Sequence, residues 1–144
     1  MSFTPKTPYL TVDGVVEIYN KEEQLQGIVL IKRKYPPLGM ALPGGFVDIG
    51  ESVEDAVVRE MQEEISLHVS IQNLLGVYSD PQRDARFHTV SVVFVCKAYG
   101  IPTGADDAKE ASIVPIELLN SQPLVFDHKK IIADYLQQYH HKDV

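Results

Sequence analysis

GFVDIGESVEDAVVREMQEEISL, residues 45–67, is the stretch from which the fold can best be read. Ser52 is a favoured N-cap residue, and Glu54 and Asp55 would lie in the first turn of a following helix. The pattern therefore predicts a helix from about Val53 to Ile65. At 100° per residue, four apolar side chains share one face of this helix. They are Val53, Ala56, Val57 and Met61.

Three glutamates of this helix are placed unusually. Glu60 and Glu64 fall within the apolar face, and Glu63 lies at its edge. A solvated surface explains Glu54 well, but charged side chains that only face water should avoid an apolar stripe. Buried carboxylates must be paired or must bind a metal ion. Arg59 can pair with one of them, so the remaining negative charge predicts a magnesium or manganese site beside the Gly44-Gly45 turn.

The remaining pattern predicts a strand-rich α/β protein. Predicted strands cover residues 12–19, 27–31, a short segment before residue 42, and residues 68–78, 89–98 and 111–116. A second helix is predicted over residues 127–139, with Asp127 as its N-cap. The continuously apolar run at residues 92–96 indicates a strand that is buried on both faces. We therefore expect an α/β/α sandwich with a mixed sheet.

Length and composition limit the class of protein. The 144 residues, 44% hydrophobic and 23% charged, predict one globular domain over residues 1–144. The formal net charge of −7 disfavours nucleic acid and anionic membranes as partners, and it requires a cation if the substrate is itself anionic. The N-terminal residues lack an apolar signal region, and no run has the length of a membrane span, so we expect a cytoplasmic protein.

The spacing within residues 45–67 resembles the signature of the Nudix hydrolase family. Gly45 is followed after five residues by Glu51, and after seven more by the segment REMQEEISL, residues 59–67. Ser66 stands where the family usually has glycine, at a helix end where a positive φ is favoured. The substitution removes no metal ligand. The resemblance implies the Nudix-type α/β/α sandwich and hydrolysis of a nucleoside diphosphate that is linked to a further group.

The resemblance also implies roles for individual residues. Glu60, Glu63 and Glu64 would bind Mg²⁺, with Mn²⁺ as an alternative, and Gly45 would offer its carbonyl to the same ion. Glu51 and Arg59 would form a supporting salt bridge that orients the helix.

A general base must activate the attacking water, and in this family the base varies. It is either one of these glutamates or an acid on a later loop. Glu110 is the first candidate from a later loop, with Asp106 and Asp107 behind it. The alternative for all three is a solvated acidic loop.

The segment after the helix points to a substrate. Pro81 lies 14 residues beyond Leu67, and residues 79–91 resemble a stretch of small ADP-ribose pyrophosphatases, although Ala85 and Phe87 depart from it. This resemblance implies cleavage of ADP-ribose to AMP and ribose 5-phosphate. Guanidinium groups suit phosphate oxygens and aromatic rings can stack on adenine, whereas the alternative is a solvated loop. The candidate substrate-binding residues are Arg33, Tyr78, Arg83, Arg86 and Phe87.

Two other functions stay open. One alternative is a Nudix hydrolase for a nucleotide sugar or a damaged nucleoside triphosphate. The other is a sensor that binds ADP-ribose without cleaving it, but such sensors typically degrade the Arg-Glu-x-x-Glu-Glu core, which is intact here. Small ADP-ribose pyrophosphatases of the family are often homodimers, so we expect a homodimer.

Overall fold

The computed structural model describes residues 2–141, which form seven strands, two α-helices and one 3-10 helix. The strands are β1 (Tyr9–Tyr19), β2 (Leu25–Arg33), β3 (Met40–Ala41), β4 (Gly44–Phe46), β5 (Ser70–Tyr78), β6 (Thr89–Tyr99) and β7 (Ala108–Val114). The helices are α1 (Val53–Ile65) and α2 (His128–Tyr139), and the 3-10 helix covers Ile116–Ser121. Within residues 2–141, no helix is long and apolar enough to cross a membrane.

The strands form one mixed sheet. Its order is β3-β2-β1-β6-β5, with β4 paired to β1 and β7 paired to β2. The β1–β6 pair is parallel along the full length of both strands, whereas the other named strand pairs are antiparallel. The predicted mixed sheet is confirmed.

Each face of the sheet is covered by one helix. Alternating residues of β1 point to opposite faces, so Val16 packs towards α1 while Val15 packs towards α2. Met61 and Ile65 of α1 are fully buried on the first face, and Ile131 and Tyr135 of α2 are fully buried on the second. The expected α/β arrangement is therefore confirmed, and the central strands are buried on both sides.

Helix α1 begins and ends at the predicted residues. The Ser52 hydroxyl accepts a hydrogen bond from the backbone N–H of Asp55, and Ser66 ends the helix in the left-handed conformation with a φ of 59°. The N-terminal cap and the C-terminal turn together set the direction in which the glutamates of α1 project.

Several strand bounds differ from the sequence-based expectation, and three of the differences lie near the ends of elements that shape the site. Strand β4 was not predicted, because two of its three residues are glycines, which disfavour strands. Strand β7 begins at Ala108 instead of residue 111. Helix α2 begins at His128, and Asp127 makes no side-chain cap because its carboxylate binds Arg83 instead.

Candidate functional site

A cleft of about 240 Å³ opens where α1, β1, β4 and the loop before α2 meet. One part of its wall is acidic and includes Asp13, Glu60 and Glu64. Another part is basic and includes Arg33 and Arg86. The cleft thus brings an acidic helix face and arginines from distant parts of the chain to one place.

The acidic wall crowds carboxyl groups in a poorly solvated space. Glu64 is 4% exposed, and its Oε2 accepts a hydrogen bond of 2.8 Å from the backbone N–H of Gly44. Burial raises the pKa of Glu64 to about 8 and that of Asp13, which accepts a hydrogen bond from Ser91, to about 7. Burial also raises the pKa of Glu60. A cation in the cleft would relieve this crowding of negative charge.

Arg59 is the centre of an ion-pair network. Its Nε and Nη2 donate to the two carboxylate oxygens of Glu51 at 2.7 and 2.8 Å, and its Nη1 donates to Glu60 at 2.9 Å and Glu63 at 3.1 Å. The hydrogen bonds from Arg59 lower the pKa of Glu51 to about 2. This two-pronged bond ties the loop before α1 to the helix, in line with the supporting role that the resemblance implied for Glu51 and Arg59.

The acidic residues of the cleft supply the type of ligand atom that a hard divalent cation prefers, which is oxygen. Their donors are carboxylate oxygens, and a Cβ atom on Gly45 would lie 2.5 Å from the Glu60 carboxylate, so only glycine leaves this space open. Within residues 2–141, however, no three His, Cys, Asp or Glu side chains are grouped as a ligand set. Arg59 Nη1 instead binds both Glu60 and Glu63. A bound cation would have to replace this guanidinium.

The structure does not bring Glu110 to the cleft. Glu110 is exposed and lies opposite Lys32 in the β2–β7 register, whereas the cleft-lining residues of β2 are Ile31 and Arg33. Since adjacent strand residues point to opposite faces, Glu110 belongs to the other face. Asp107, from the same acidic loop, does line the cleft.

The two arginines of the basic wall lie against the same aromatic ring, that of Phe126. Arg33 and Arg86 both line the cleft, and their Cζ atoms lie 5.0 and 5.2 Å from the ring centroid of Phe126. The Arg33 Nε donates to the Pro37 carbonyl at 2.9 Å. Arg86 binds the two oxygens of the buried Asp84 at 3.0 and 2.8 Å.

Arg83 differs from its expected role as a substrate ligand. Its side chain is only 5% exposed, and its guanidinium donates twice to Asp127, at 2.9 and 2.7 Å, and once to Thr89 at 2.6 Å. All three guanidinium nitrogens are therefore bonded inside the protein. Arg83 fastens the loop after β5 to the start of α2, although its side chain contributes to the cleft wall.

The two aromatic candidates lie around the cleft rather than in it. Phe87 packs edge-on against Tyr9 and lies 6.1 Å from Phe46, whose side chain lines the cleft. The Tyr78 hydroxyl donates to Asp134 at 2.7 Å and lines a separate hollow of about 520 Å³. This hollow shares Arg83 and Phe126 with the cleft.

Three notable residues of the cleft were not among the predicted site residues. Asp13 is one of them, although an acidic residue inside the β-branched run of β1 was a usable signal of a polar site. His128 is the second, and it is 3% exposed with its Nδ1 accepting a hydrogen bond from the Leu42 N–H at 3.0 Å. Burial lowers the pKa of His128 to about 3. The segment Phe126-Asp127-His128 resembles small ADP-ribose pyrophosphatases, but the position of the Phe126 ring could not be predicted, because it depends on side chains distant in sequence.

The chain is similar in sequence to known proteins. The sequence model of the NUDIX domain family matches residues 8–135. The chain is 50% identical over 133 residues to an ADP-ribose pyrophosphatase of Methanocaldococcus jannaschii. The aligned region covers 90% of this chain and 74% of that relative.

Two solved structures are also similar. The NUDIX domain of Shewanella oneidensis NrtR complexed with ADP ribose has a TM-score of 0.78 and 28% identity, covering 92% of this chain and 89% of that one. A bifunctional NMN adenylyltransferase/ADP ribose pyrophosphatase from Francisella tularensis, complexed with AMP and a Mn ion, has a TM-score of 0.76 and 26% identity. The superposed region covers 92% of this chain and 42% of that bifunctional protein.

Proposed function

The chain belongs to the NUDIX family, and from this premise we propose that it hydrolyses ADP-ribose to AMP and ribose 5-phosphate with the help of a divalent metal ion. The observation that carries the proposal is the pairing, in one cleft, of the buried Glu64 and the partly buried Glu60 with two arginines, Arg33 and Arg86. Such a cleft can hold a metal-bound diphosphate, because the metal offsets the acidic wall and the guanidiniums bind phosphate oxygens. The ADP-ribose pyrophosphatase that is 50% identical supports this choice of substrate.

The metal ion is Mg²⁺ in this proposal, with Mn²⁺ as the alternative. Glu60, Glu63 and Glu64 would hold it, together with the carbonyl oxygen of Gly45. When bound, the ion neutralises diphosphate oxygens and so makes the phosphorus easier to attack. Arg59 would then keep its two bonds to Glu51 and continue to orient α1.

Asp107 is the proposed general base, in place of Glu110. It takes a proton from the attacking water, the water oxygen bonds to one phosphorus, and the bridging P–O bond breaks. The bridging oxygen leaves with the other phosphate, so that AMP and ribose 5-phosphate form. Asp107 is preferred because it lines the cleft and Glu110 does not.

The direct test is a substrate panel with product analysis. Purified protein is assayed with Mg²⁺, with Mn²⁺ and with EDTA on ADP-ribose, ADP-glucose, NADH, diadenosine polyphosphates and 8-oxo-dGTP. We expect the highest kcat/KM for ADP-ribose, equal amounts of AMP and ribose 5-phosphate, and no turnover in EDTA. Binding of ADP-ribose without cleavage would instead identify a sensor, and a better alternative substrate would overturn the assignment.

Matched variants test the proposed roles. Glu64→Gln should lower kcat much more than it changes KM, since a metal ligand acts mainly on the transition state. Glu54→Gln, an exposed change on the same helix, is its control. Asp107→Asn should lose most of kcat while Glu110→Gln keeps it, and the reverse result would restore Glu110 as the base.

We also propose a homodimer. Leu74 and Val77 lie on the edge strand β5 and are 55% and 57% exposed, which is unusual for apolar side chains on a strand with one open edge. Light scattering on the purified chain should give twice the monomer mass of 16.1 kDa. A concentration-independent monomer would contradict this.

A further inference from the structure

Phe126 has an unusual backbone conformation for a bulky residue. Its φ is 58°, in the left-handed region that disfavours side chains with a Cβ atom. Residues are held in such conformations where the surroundings impose them, and these positions cluster at ligand-binding sites. Phe126 lies two residues before α2 and lines both the cleft and the neighbouring hollow.

The Phe126 ring lies beside two like charges. The Cζ atoms of Arg33 and Arg86 are 5.0 and 5.2 Å from its centroid, within the range of cation–π attraction. Arg86 also lies 5.0 Å from the ring centroid of Phe87, but Phe126 is the ring that Arg33 and Arg86 share, and it offsets part of the repulsion between them. Burial lowers the pKa of Arg33, and the charge of Arg86 lowers it further.

The two guanidiniums keep donors available for an anion. Within residues 2–141, the Arg33 side chain makes its only protein hydrogen bond through Nε, to the Pro37 carbonyl, and no carboxylate lies within ion-pair distance of its guanidinium. Arg86 uses Nε and Nη2 for Asp84 and makes no protein hydrogen bond through Nη1. By contrast, Arg59 and Arg83 direct all three guanidinium nitrogens to protein acceptors.

We propose that Phe126 is a positioning residue that holds Arg33 and Arg86 together as a clamp for one phosphate of a diphosphate. The identity of the whole substrate rests on the proposed function, but the clamp itself requires only a diphosphate. Phe126 touches neither the reacting atoms nor the metal ligands in this scheme. It acts by keeping two guanidinium forks in place before the anion arrives, which lowers the cost of ordering them on binding.

The test is binding of inorganic pyrophosphate without divalent metal, measured by calorimetry on the full chain. Phe126→Leu keeps a bulky apolar residue at the same φ but removes the aromatic face. We expect its Kd to rise roughly tenfold, equivalent to about 1.4 kcal/mol, whereas Phe126→Tyr should stay within about twofold of wild type because it keeps the ring. Tyr99→Leu is the matched control, because Tyr99 also lies near a cation, Lys97, but far from the cleft.

Kinetics separate this inference from the proposed function. Phe126→Leu should raise the KM for ADP-ribose with little change in kcat, and Phe126→Gly, which suits a positive φ, gives the same reading if the leucine variant does not fold. Unchanged pyrophosphate binding in both variants, or no metal-free binding by the wild type, overturns the clamp. If the wild type does not cleave ADP-ribose but pyrophosphate binding still depends on the ring, the proposed function fails and the clamp stands.

Discussion

Replacing Arg83 should destabilise the fold much more than it weakens substrate binding. The Arg83 side chain is 5% exposed, and its partner Asp127 is 16% exposed. Arg83→Met keeps most of the side-chain length but leaves the Asp127 carboxylate without its two charged hydrogen bonds and Thr89 without a third. Removing one member of a buried pair costs about 3–5 kcal/mol in free energy of unfolding. At this chain length, the expected fall in Tm is on the order of 10 °C.

A double-mutant cycle makes the reasoning quantitative. Asp127→Asn alone should cost a similar amount, because it leaves a buried guanidinium poorly paired. The combined Arg83→Met and Asp127→Asn variant should lose less than the sum of the two single variants, with a coupling of about 1–3 kcal/mol. Urea unfolding followed by circular dichroism measures all four proteins, and steady-state kinetics gives KM for ADP-ribose on those that fold.

The opposite pattern would refute this account. If Arg83→Met unfolds at the wild-type urea concentration while KM for ADP-ribose rises tenfold or more, Arg83 is a substrate ligand and its bonds to Asp127 are secondary. Arg83→Lys is a useful further variant. It keeps the charge but cannot reproduce the two-pronged bond, so stability should fall by a smaller amount.

Three further predictions follow from single contacts. Gly45→Ala should lower kcat at least tenfold without unfolding the protein, because the new Cβ would lie 2.5 Å from the Glu60 carboxylate. Gly76→Ala is the control and should behave as wild type, because its Cβ meets nothing closer than 3.5 Å. Equal kcat values for the two variants would count against a metal site at Glu60. Ser66→Gly should leave kcat unchanged and raise the free energy of unfolding by up to about 1 kcal/mol, since Ser66 has a φ of 59°; a fall in kcat would reveal a role in the site. The pKa of His128 is about 3 in the folded protein, against an ordinary value of 6.5 in the unfolded chain. Between pH 6.5 and pH 3 the unfolded chain therefore binds a proton on His128 that the folded protein does not. The contribution of His128 to stability is full above pH 6.5 and is lost as the pH falls towards 3. The difference between wild type and His128→Asn in urea unfolding should change by up to about 1.4 kcal/mol per pH unit in this window, and a pH-independent difference would contradict the burial of a neutral imidazole.

The sequence was most informative where local rules decide the outcome. Helix α1 could be placed to the residue because its cap and its apolar face lie within one short stretch. The inward position of Glu64 was readable for the same reason. The cleft itself was harder to predict, since Asp13, Phe126 and His128 acquire their surroundings only when β1, β6 and α2 pack together.

Arg83 and Glu110 show why local patterns mislead. An arginine in a polar loop looks solvated or ready for a ligand, and the sequence gives no sign that Asp127, 44 residues away, receives its guanidinium. Glu110 follows an acidic loop and looks like part of it, but its strand register with β2 decides which face it occupies. Register is a property of two strands, so the sequence around Glu110 alone does not contain it.

The parallel pairing of β1 with β6 has a consequence for how the protein is made. Tyr9 lies opposite Thr89 and Tyr19 opposite Tyr99, so every pair along this ladder joins residues far apart in the chain. On the ribosome, β1 leaves the exit tunnel before the strand β6 with which it pairs has been synthesised. Contacts of such high sequence separation slow folding, because a long loop must close first. Until β6 follows, the edge of β1 that faces it has no partner strand, and an unpaired strand edge of this kind favours aggregation of the nascent chain.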